Sequence, residues 1–388
     1  MAIYELEWIV PTHVVFKKGC LNRIGEYVSG LGARRAVIVT TSGGSMRKYG
    51  YLDIISSSLK GKGIEFSVFD KVFTNPTTTL VDELAGFLKD NKADVVIALG
   101  GGSAIDAAKA AALVARSGGL SKDYLSGIRV GTDAIPVVAI PTTHGTGSEV
   151  DKYAVITDAS LNAKLTIVSH LIYPKYAIVD PVVTLTLPVE LSSATVFDAL
   201  SHALESYIGL RINAVSQMFA REALRTIASV LPKIPKEYND VGVRSALLWA
   251  SMSAGFAIDQ SRSGLMHAIE HVLSAYQPNL HHGLGLAMIA PAWAEFVGTT
   301  IPDKVKEIME IFGFKTNMKG NSGIVFRKFI EYILESLGIS GKLSDYGIAK
   351  DEVKSLAQDA FKHFKVLINN TPRKVSVDDI VIIIERSL

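Results

Sequence analysis

The sequence predicts two successive folds: an α/β part, residues 1–181, built on a parallel sheet with helices on both faces, and an all-α part, residues 182–388. Three observations lead there. Short apolar runs alternate with helical stretches through about residue 180; beyond it apolar residues recur at helical spacing; and DPVVTLTLP separates the two textures. Alternating strand and helix reads as a parallel sheet, because each parallel neighbour must be reached by a crossover. The length, 388 residues, also exceeds what a single core usually serves.

In chain order, strands are expected at Ala36–Thr40 (AVIVT), Glu65–Phe69, Val95–Leu99 (VVIAL), Pro136–Ile140 (PVVAI) and Tyr176–Val179. Helices are expected over Ser45–Lys60, Thr79–Lys89 and Ser103–Ala115. Ligands of such a sheet gather at the carboxyl ends of its strands. Both prolines of DPVVTLTLP restrict the chain, and proline has no N–H to continue a ladder, so this segment is the expected hinge. LPVELSSATVFDALSHALESYIGL, VSQMFAREALRTIASVL and VRSALLWASMSAGFAI then read as helices, and the tail as a turn plus one amphipathic helix.

Hydrophobic residues make up 48% and charged residues 20%, the balance of a soluble globular chain rather than a disordered or fibrous one. The net charge of +2 is not gathered into a tract, so no nucleic-acid partner is expected. MAIYELEWIV lacks a basic head and long apolar stretch, and no later run is expected to reach membrane-spanning length. A cytoplasmic location follows as the expectation. Cys20 is the single cysteine, so neither an intrachain disulfide nor a thiolate metal cage can form. Any metal must be held by imidazole and carboxylate.

ADVVIALGGGSAIDAAKAAALVA reads as a buried strand, three glycines and an Ala-rich helix. Gly100, Gly101 and Gly102 let the backbone approach a pyrophosphate, whose charge the free N–H groups and dipole of the helix start would stabilise. Ser103 is the expected N-cap, and Asp106 has capping-box spacing from it. PTTHGTGSEVD follows the strand at Pro136–Ile140: Thr142, Thr143, Thr146 and Ser148 can donate to phosphate or ribose oxygens, while Gly145 and Gly147 allow close approach. Either loop alone would serve as a plain turn. Two at strand ends of one sheet favour a dinucleotide-binding domain.

In the second part, Asp198 and His202 are spaced i,i+4, as are His267 and His271, so two helices can each offer a ligand pair to one divalent ion. A lone histidine on an apolar helix is more often a satisfied core residue. Two such pairs and a His-Gly turn change that balance. His282 could close the shell, although spacing does not separate it from adjacent His281.

With these residues assembled, the chain resembles the iron-containing (group III) alcohol dehydrogenase family over nearly its whole length. GGGSAIDAAKAAA is similar to the family's GGGSxxDxAK, PTTHGTGSEV to PTTxGTGSE, FDALSHALESY to MDALTHAxEAY, GLMHAIEHVLSAY to HxxxHxLxAxY, and LHHGLGLA to HGxxxA. The resemblance implies a homodimeric oxidoreductase moving hydride between a small alcohol, or its aldehyde or ketone, and NAD or NADP, with Fe2+ or Zn2+. It implies Asp198, His202, His267 and His282 as metal ligands, favouring His282 over His281, and His271 as a proton relay. It places Gly101, Gly102, Ser103 and Asp106 at the pyrophosphate, Thr142, Thr143, Thr146 and Lys164 around the nicotinamide half, and Asn75 near the adenosine.

Some positions depart from the family pattern. Thr41 stands where many NAD-using members carry an aspartate, and Ser45, Arg47 or Lys48 could bind a 2′-phosphate, so NADP is expected over NAD. His144 and Phe197 replace smaller or different residues and could reshape the pocket. Asp259 and Arg262 read as a surface ion pair. The rival readings are a zinc-type polyol or glycerol dehydrogenase, a dehydroquinate-synthase-like lyase, and, from another class, a silent nucleotide-binding protein.

Overall fold

The computed structural model describes residues 6–161, 163–315 and 320–388. The chain divides into two compact units, Ile9–Leu187 and Pro188–Leu388, the second also taking in Trp8. The first unit runs β1 (His13–Phe16), α1 (Ile24–Gly30), β2 (Arg35–Thr41), α2 (Ser45–Lys48), α3 (Tyr51–Lys60), β3 (Glu65–Val72) and α4 (Thr78–Asp90). It continues with β4 (Val95–Gly100), α5 (Gly102–Ser117), α6 (Ser121–Leu125), β5 (Val137–Pro141), β6 (Tyr153–Asp158), β7 (Ala163–Val168) and β8 (Tyr176–Val179). Six strands form one parallel sheet in the order β1-β8-β5-β4-β2-β3, and β6 and β7 form a separate antiparallel hairpin.

Side chains alternate across a strand, and here both faces are covered. Val37, Val39, Val96 and Ala98 pack with Leu84, Leu88 and Ala108 of α4 and α5, whereas Ala36, Ile38, Val95 and Ile97 pack with Ile24, Ile55 and Leu59 of α1 and α3. From β2 the chain steps outward to β3, then returns to lay β4 along the other side of β2. The carboxyl ends of β2 and β4 therefore flank the point where strand order reverses, which is where such sheets form their ligand crevice. Thr41 and Gly100 end these strands, and a Cβ on Gly100 would lie 3.6 Å from Thr41 Cγ2.

The helix expected over Ser45–Lys60 is two helices, because Gly50 takes a left-handed φ of 78° between α2 and α3. The short edge strand β1 and the β6–β7 hairpin were not foreseen. Residues 182–187 stay with the first unit: Val183 is buried with Ile178 and Tyr51, and Tyr51 Oη donates to the Val182 carbonyl at 3.3 Å.

Among its described residues the second unit has helices joined by loops and no strand. It comprises α7 (Val189–Ile208), α8 (Ala214–Val230), α9 (Ile234–Glu237), α10 (Val241–Ser261), α11 (Leu265–Tyr276), α12 (His282–Gly298), α13 (Pro302–Ile311), α14 (Ser322–Ser336), α15 (Val353–His363), α16 (Lys365–Ile368) and α17 (Val377–Glu385). α7 sits at its centre, packed on α8, α10 and α12, which is why polar side chains on it are buried. Contrary to expectation, α10 is long and apolar enough to cross a membrane by length and composition. It is a core helix instead: it packs on α7 and α8, and Leu247, Leu248 and even Arg244 are buried.

Candidate metal centre and nucleotide cradle

In the first unit, β4 ends at Gly100 and α5 begins at Gly102, with Gly101 as N-cap and no side chain capping it. The start of this 16-residue helix thus keeps N–H groups and the positive end of its dipole for an anion. Ser103 is not the cap that was expected, because the helix starts one residue earlier and places Ser103 inside the first turn. A Cβ on Gly101 would stand 3.0 Å from Thr143 Oγ1, and one on Gly102 would stand 2.5 Å from Thr146 Cγ2. The two loops therefore touch, and glycine is what lets them. Thr142 N donates to the Gly100 carbonyl at 3.0 Å, joining the strand ends.

Asp106, expected at the pyrophosphate, hydrogen-bonds to protein groups. Its Oδ1 accepts from Ser148 Oγ at 2.5 Å and its Oδ2 from Val155 N at 2.9 Å. Burial raises its pKa, against the pull of Lys109 and Lys164. Lys109, fully buried on α5, donates to the Ser148 carbonyl and Oγ, each at 2.9 Å, and to Asp151 Oδ1 at 2.7 Å. Sequence reading passed over Lys109, which ties the helix of the first loop to the second. Neighbouring Glu149 is buried with no partner for Oε1, and burial pushes it up to about 7. Asp151 is raised to about 6, also by burial.

Around this cradle, Thr41 and Ser45 are half-buried at the end of β2 and the start of α2, and Arg47 and Lys48 are exposed. Asn75 holds a left-handed φ of 58°, and its Nδ2 is buried without an acceptor, as suits a group waiting for a ligand oxygen. Lys164 is buried on β7, and His144 is buried in the second loop.

In the second unit, α7 carries Asp198 and His202, α11 carries His267 and His271, and α12 opens on His282. Ligand atoms of Asp198, His267 and His282 lie within 4.8 Å of one another. Asp198 Oδ1 is the hub: His267 Nε2 is 3.8 Å away, His282 Nε2 3.6 Å and His202 Nδ1 3.5 Å. A tetrahedral ion with bonds of about 2.0–2.2 Å separates its ligands by roughly 3.3–3.6 Å; the His202 and His282 spacings fall in that range and the 3.8 Å spacing of His267 lies just beyond it, close to what one divalent cation needs. Asp198 Oδ1 and His267 Nε2 are buried and make no hydrogen bond, two polar atoms a cation would satisfy. His202 stacks on His267 with ring centroids 4.3 Å apart and stands outside the three-residue group. Of the adjacent pair, His282 enters the group, while His281 is the residue before the helix.

The electrostatics favour a cation. Burial opposes the charge of Asp198, yet the imidazoles of His202, His282 and His267 hold it well below the usual carboxylate range. Burial likewise opposes a protonated His267, but the carboxylates of Asp198 and Glu205 push it up to about 9. His271 adjoins the group, its ring 5.5 Å from that of His282 and edge-on to Phe364 at 5.3 Å.

Two glutamates were missed in sequence. Glu205 accepts from His267 Nδ1 at 2.6 Å, and Glu270 accepts from His282 Nδ1. Phe197, the residue before Asp198 on α7, is fully buried. Asp259 is buried, not the surface partner expected, and its Oδ2 accepts from Gln260 Nε2 at 2.9 Å. Arg262 has a left-handed φ of 64° just before α11.

The chain is similar to known proteins along nearly its whole length. The model described as iron-containing alcohol dehydrogenase matches residues 11–181, and that described as Fe-containing alcohol dehydrogenase family, C-terminal, matches residues 192–388. An NAD-dependent methanol dehydrogenase of Bacillus methanolicus is 31% identical over 98% of this chain and 99% of its own. An NADH-dependent butanol dehydrogenase A of Clostridium acetobutylicum is 32% identical, covering 99% of both. Among solved structures, an archaeal halo-thermophilic Red Sea brine pool alcohol dehydrogenase superposes with a TM-score of 0.93 at 28% identity over 100% of both chains.

Proposed function

The chain belongs to the iron-containing alcohol dehydrogenase family, and on that premise we propose how its residues carry out the chemistry. It is an oxidoreductase that moves hydride between a small alcohol, or its aldehyde or ketone, and a nicotinamide dinucleotide. When bound, a divalent ion supplies the Lewis acidity that lowers an alcohol's pKa, and the nicotinamide supplies the hydride acceptor.

Asp198, His202, His267 and His282 are the proposed ligands. One carboxylate and three imidazoles suit Fe2+ and Zn2+ alike; the family description names iron, and Fe2+ is the proposed ion. His271, beside His282 but outside the shared group of Asp198, His267 and His282, holds and passes on the hydroxyl proton. Gly101, Gly102 and Ser103 at the start of α5 take the pyrophosphate through backbone N–H groups, with Thr142, Thr143 and Thr146 donating hydroxyls. Asn75 offers its amide to the adenosine end, and Lys164 offers charge toward the nicotinamide half.

The methanol and butanol dehydrogenases named above use NAD or NADH by their names. In this chain Thr41 puts no carboxylate at the end of β2, so a 2′-phosphate meets no like charge there, and Ser45, Arg47 and Lys48 follow. NADP is therefore the finer proposal. The observation that carries the functional reading is the meeting of Asp198, His267 and His282 from three helices. Its test is a screen of primary alcohols and aldehydes with both coenzymes on iron-loaded protein. We expect turnover with at least one small alcohol and kcat/KM for NADP at or above that for NAD. A strong NAD preference would retire the NADP proposal, and no turnover with any pair would contradict the reading.

A further inference from the structure

We propose that Glu205 and Glu270 are positioning residues that set the tautomer and aim of His267 and His282, so that each ring presents Nε2 to the ion. This rests on the metal-centre reading above. Glu205, on α7, is fully committed to donors: Oε2 accepts from Gly264 N at 2.8 Å and His267 Nδ1 at 2.6 Å, and Oε1 accepts from Met266 N at 2.6 Å. An ionised carboxylate only accepts, so Nδ1 must carry a hydrogen, and the lone pair of a neutral ring then lies on Nε2. That nitrogen is the one facing Asp198 Oδ1 at 3.8 Å.

Glu270 repeats the device one helix on. Its Oε2 accepts from His282 Nδ1, and His282 Nε2 faces the same Asp198 oxygen at 3.6 Å. A glutamate of α7 thus holds the histidine of α11, and a glutamate of α11 holds the histidine of α12. Glycines make room for both: a Cβ on Gly264 would lie 2.9 Å from Glu205 Oε1, and one on Gly285 would lie 3.0 Å from Glu270 Cγ. Carboxylates behind ligand histidines orient the ring and raise its basicity, and removing one weakens metal binding by about 10–100-fold.

The test is titration of metal-free protein with Co2+, followed by visible absorption, for wild type, Glu205→Gln, Glu270→Gln and Glu270→Leu, with thermal unfolding of each metal-free protein alongside. Gln at 205 must turn its NH2 toward one of three donors, so Co2+ affinity should fall by about 10–100-fold with an altered spectrum. Gln at 270 can still accept from His282, so its loss should be smaller than that of Glu270→Leu. Variants that are less stable yet bind Co2+ as wild type does, with the same spectrum, would overturn the inference and leave the metal centre standing. If Glu205→Gln does not fold, equal affinities in the two Glu270 variants would overturn it. Wild-type protein that takes up no Co2+ would overturn both this inference and the metal-centre reading.

Discussion

At the scale of single residues, the centre rests on two buried atoms that make no hydrogen bond, Asp198 Oδ1 and His267 Nε2. His267 Nε2 is buried and unbonded, so His267→Ala removes a ligand without breaking a hydrogen bond made by that nitrogen. We expect the variant to lose its ion and its activity while its far-UV circular dichroism stays native. His271→Ala should keep the ion and lose turnover, by about 100-fold if the ring carries the proton. Metal content measured beside kcat checks both, and unchanged turnover across pH would refute the relay. Asp198 and His267 were singled out in sequence by their i,i+4 partners His202 and His271, and a His-Gly turn pointed to the His281–His282 pair, without spacing choosing between those two. Glu205 and Glu270 were not singled out, since each acts on a histidine of another helix, and spacing along one helix carries no record of that. The bonds of Asp106 to Ser148 and Val155 were hidden for the related reason that those partners lie far along the chain.

At the scale of elements, close approach decides what the sites can hold. A Cβ on Gly283 would stand 2.0 Å from the Ala194 carbonyl oxygen, so the glycine after His282 is what lets α12 lie against α7. Gly283→Ala should therefore push His282 away from Asp198, costing about 1–3 kcal/mol of stability and lowering ion affinity together. Denaturant unfolding and Co2+ titration would read the two effects. In the first unit, Lys109 bonds Ser148 and Asp151 from α5 and so fixes one loop against the other. Lys109→Met should weaken NADH binding, measured by fluorescence, while metal content is unchanged. The strands were legible where short apolar runs alternated with helical stretches, and β8 was placed at its observed bounds. The β6–β7 hairpin and β1 escaped although the hairpin strands are no shorter than β4 and β1 is no shorter than β8: β1 is an edge strand, and the hairpin is a separate antiparallel sheet outside the strand–helix alternation. α7 shows the limit of helical periodicity: nearly all its side chains are buried, and no polar face marks its surroundings.

For the whole molecule, the buried acids of the first unit set a pH dependence. Glu149 titrates near 7 against an ordinary 4.5, and Asp151 near 6 against 3.8. The folded chain holds protons that the unfolded chain releases, so this contribution is fully favourable below the ordinary values and is lost as pH rises through about 7. Glu149→Gln should flatten the fall in melting temperature between pH 5 and 8, by about 2–4 °C for each kcal/mol recovered. The two-part architecture was legible because hydrophobic period changes from one part to the other. The most direct test of the account is to titrate Fe2+ anaerobically into metal-free protein and follow alcohol-dependent NADH or NADPH formation. Activity should be absent without the ion and saturate at one ion per chain; full activity in chelator-treated, metal-free protein would contradict the metal-centre reading.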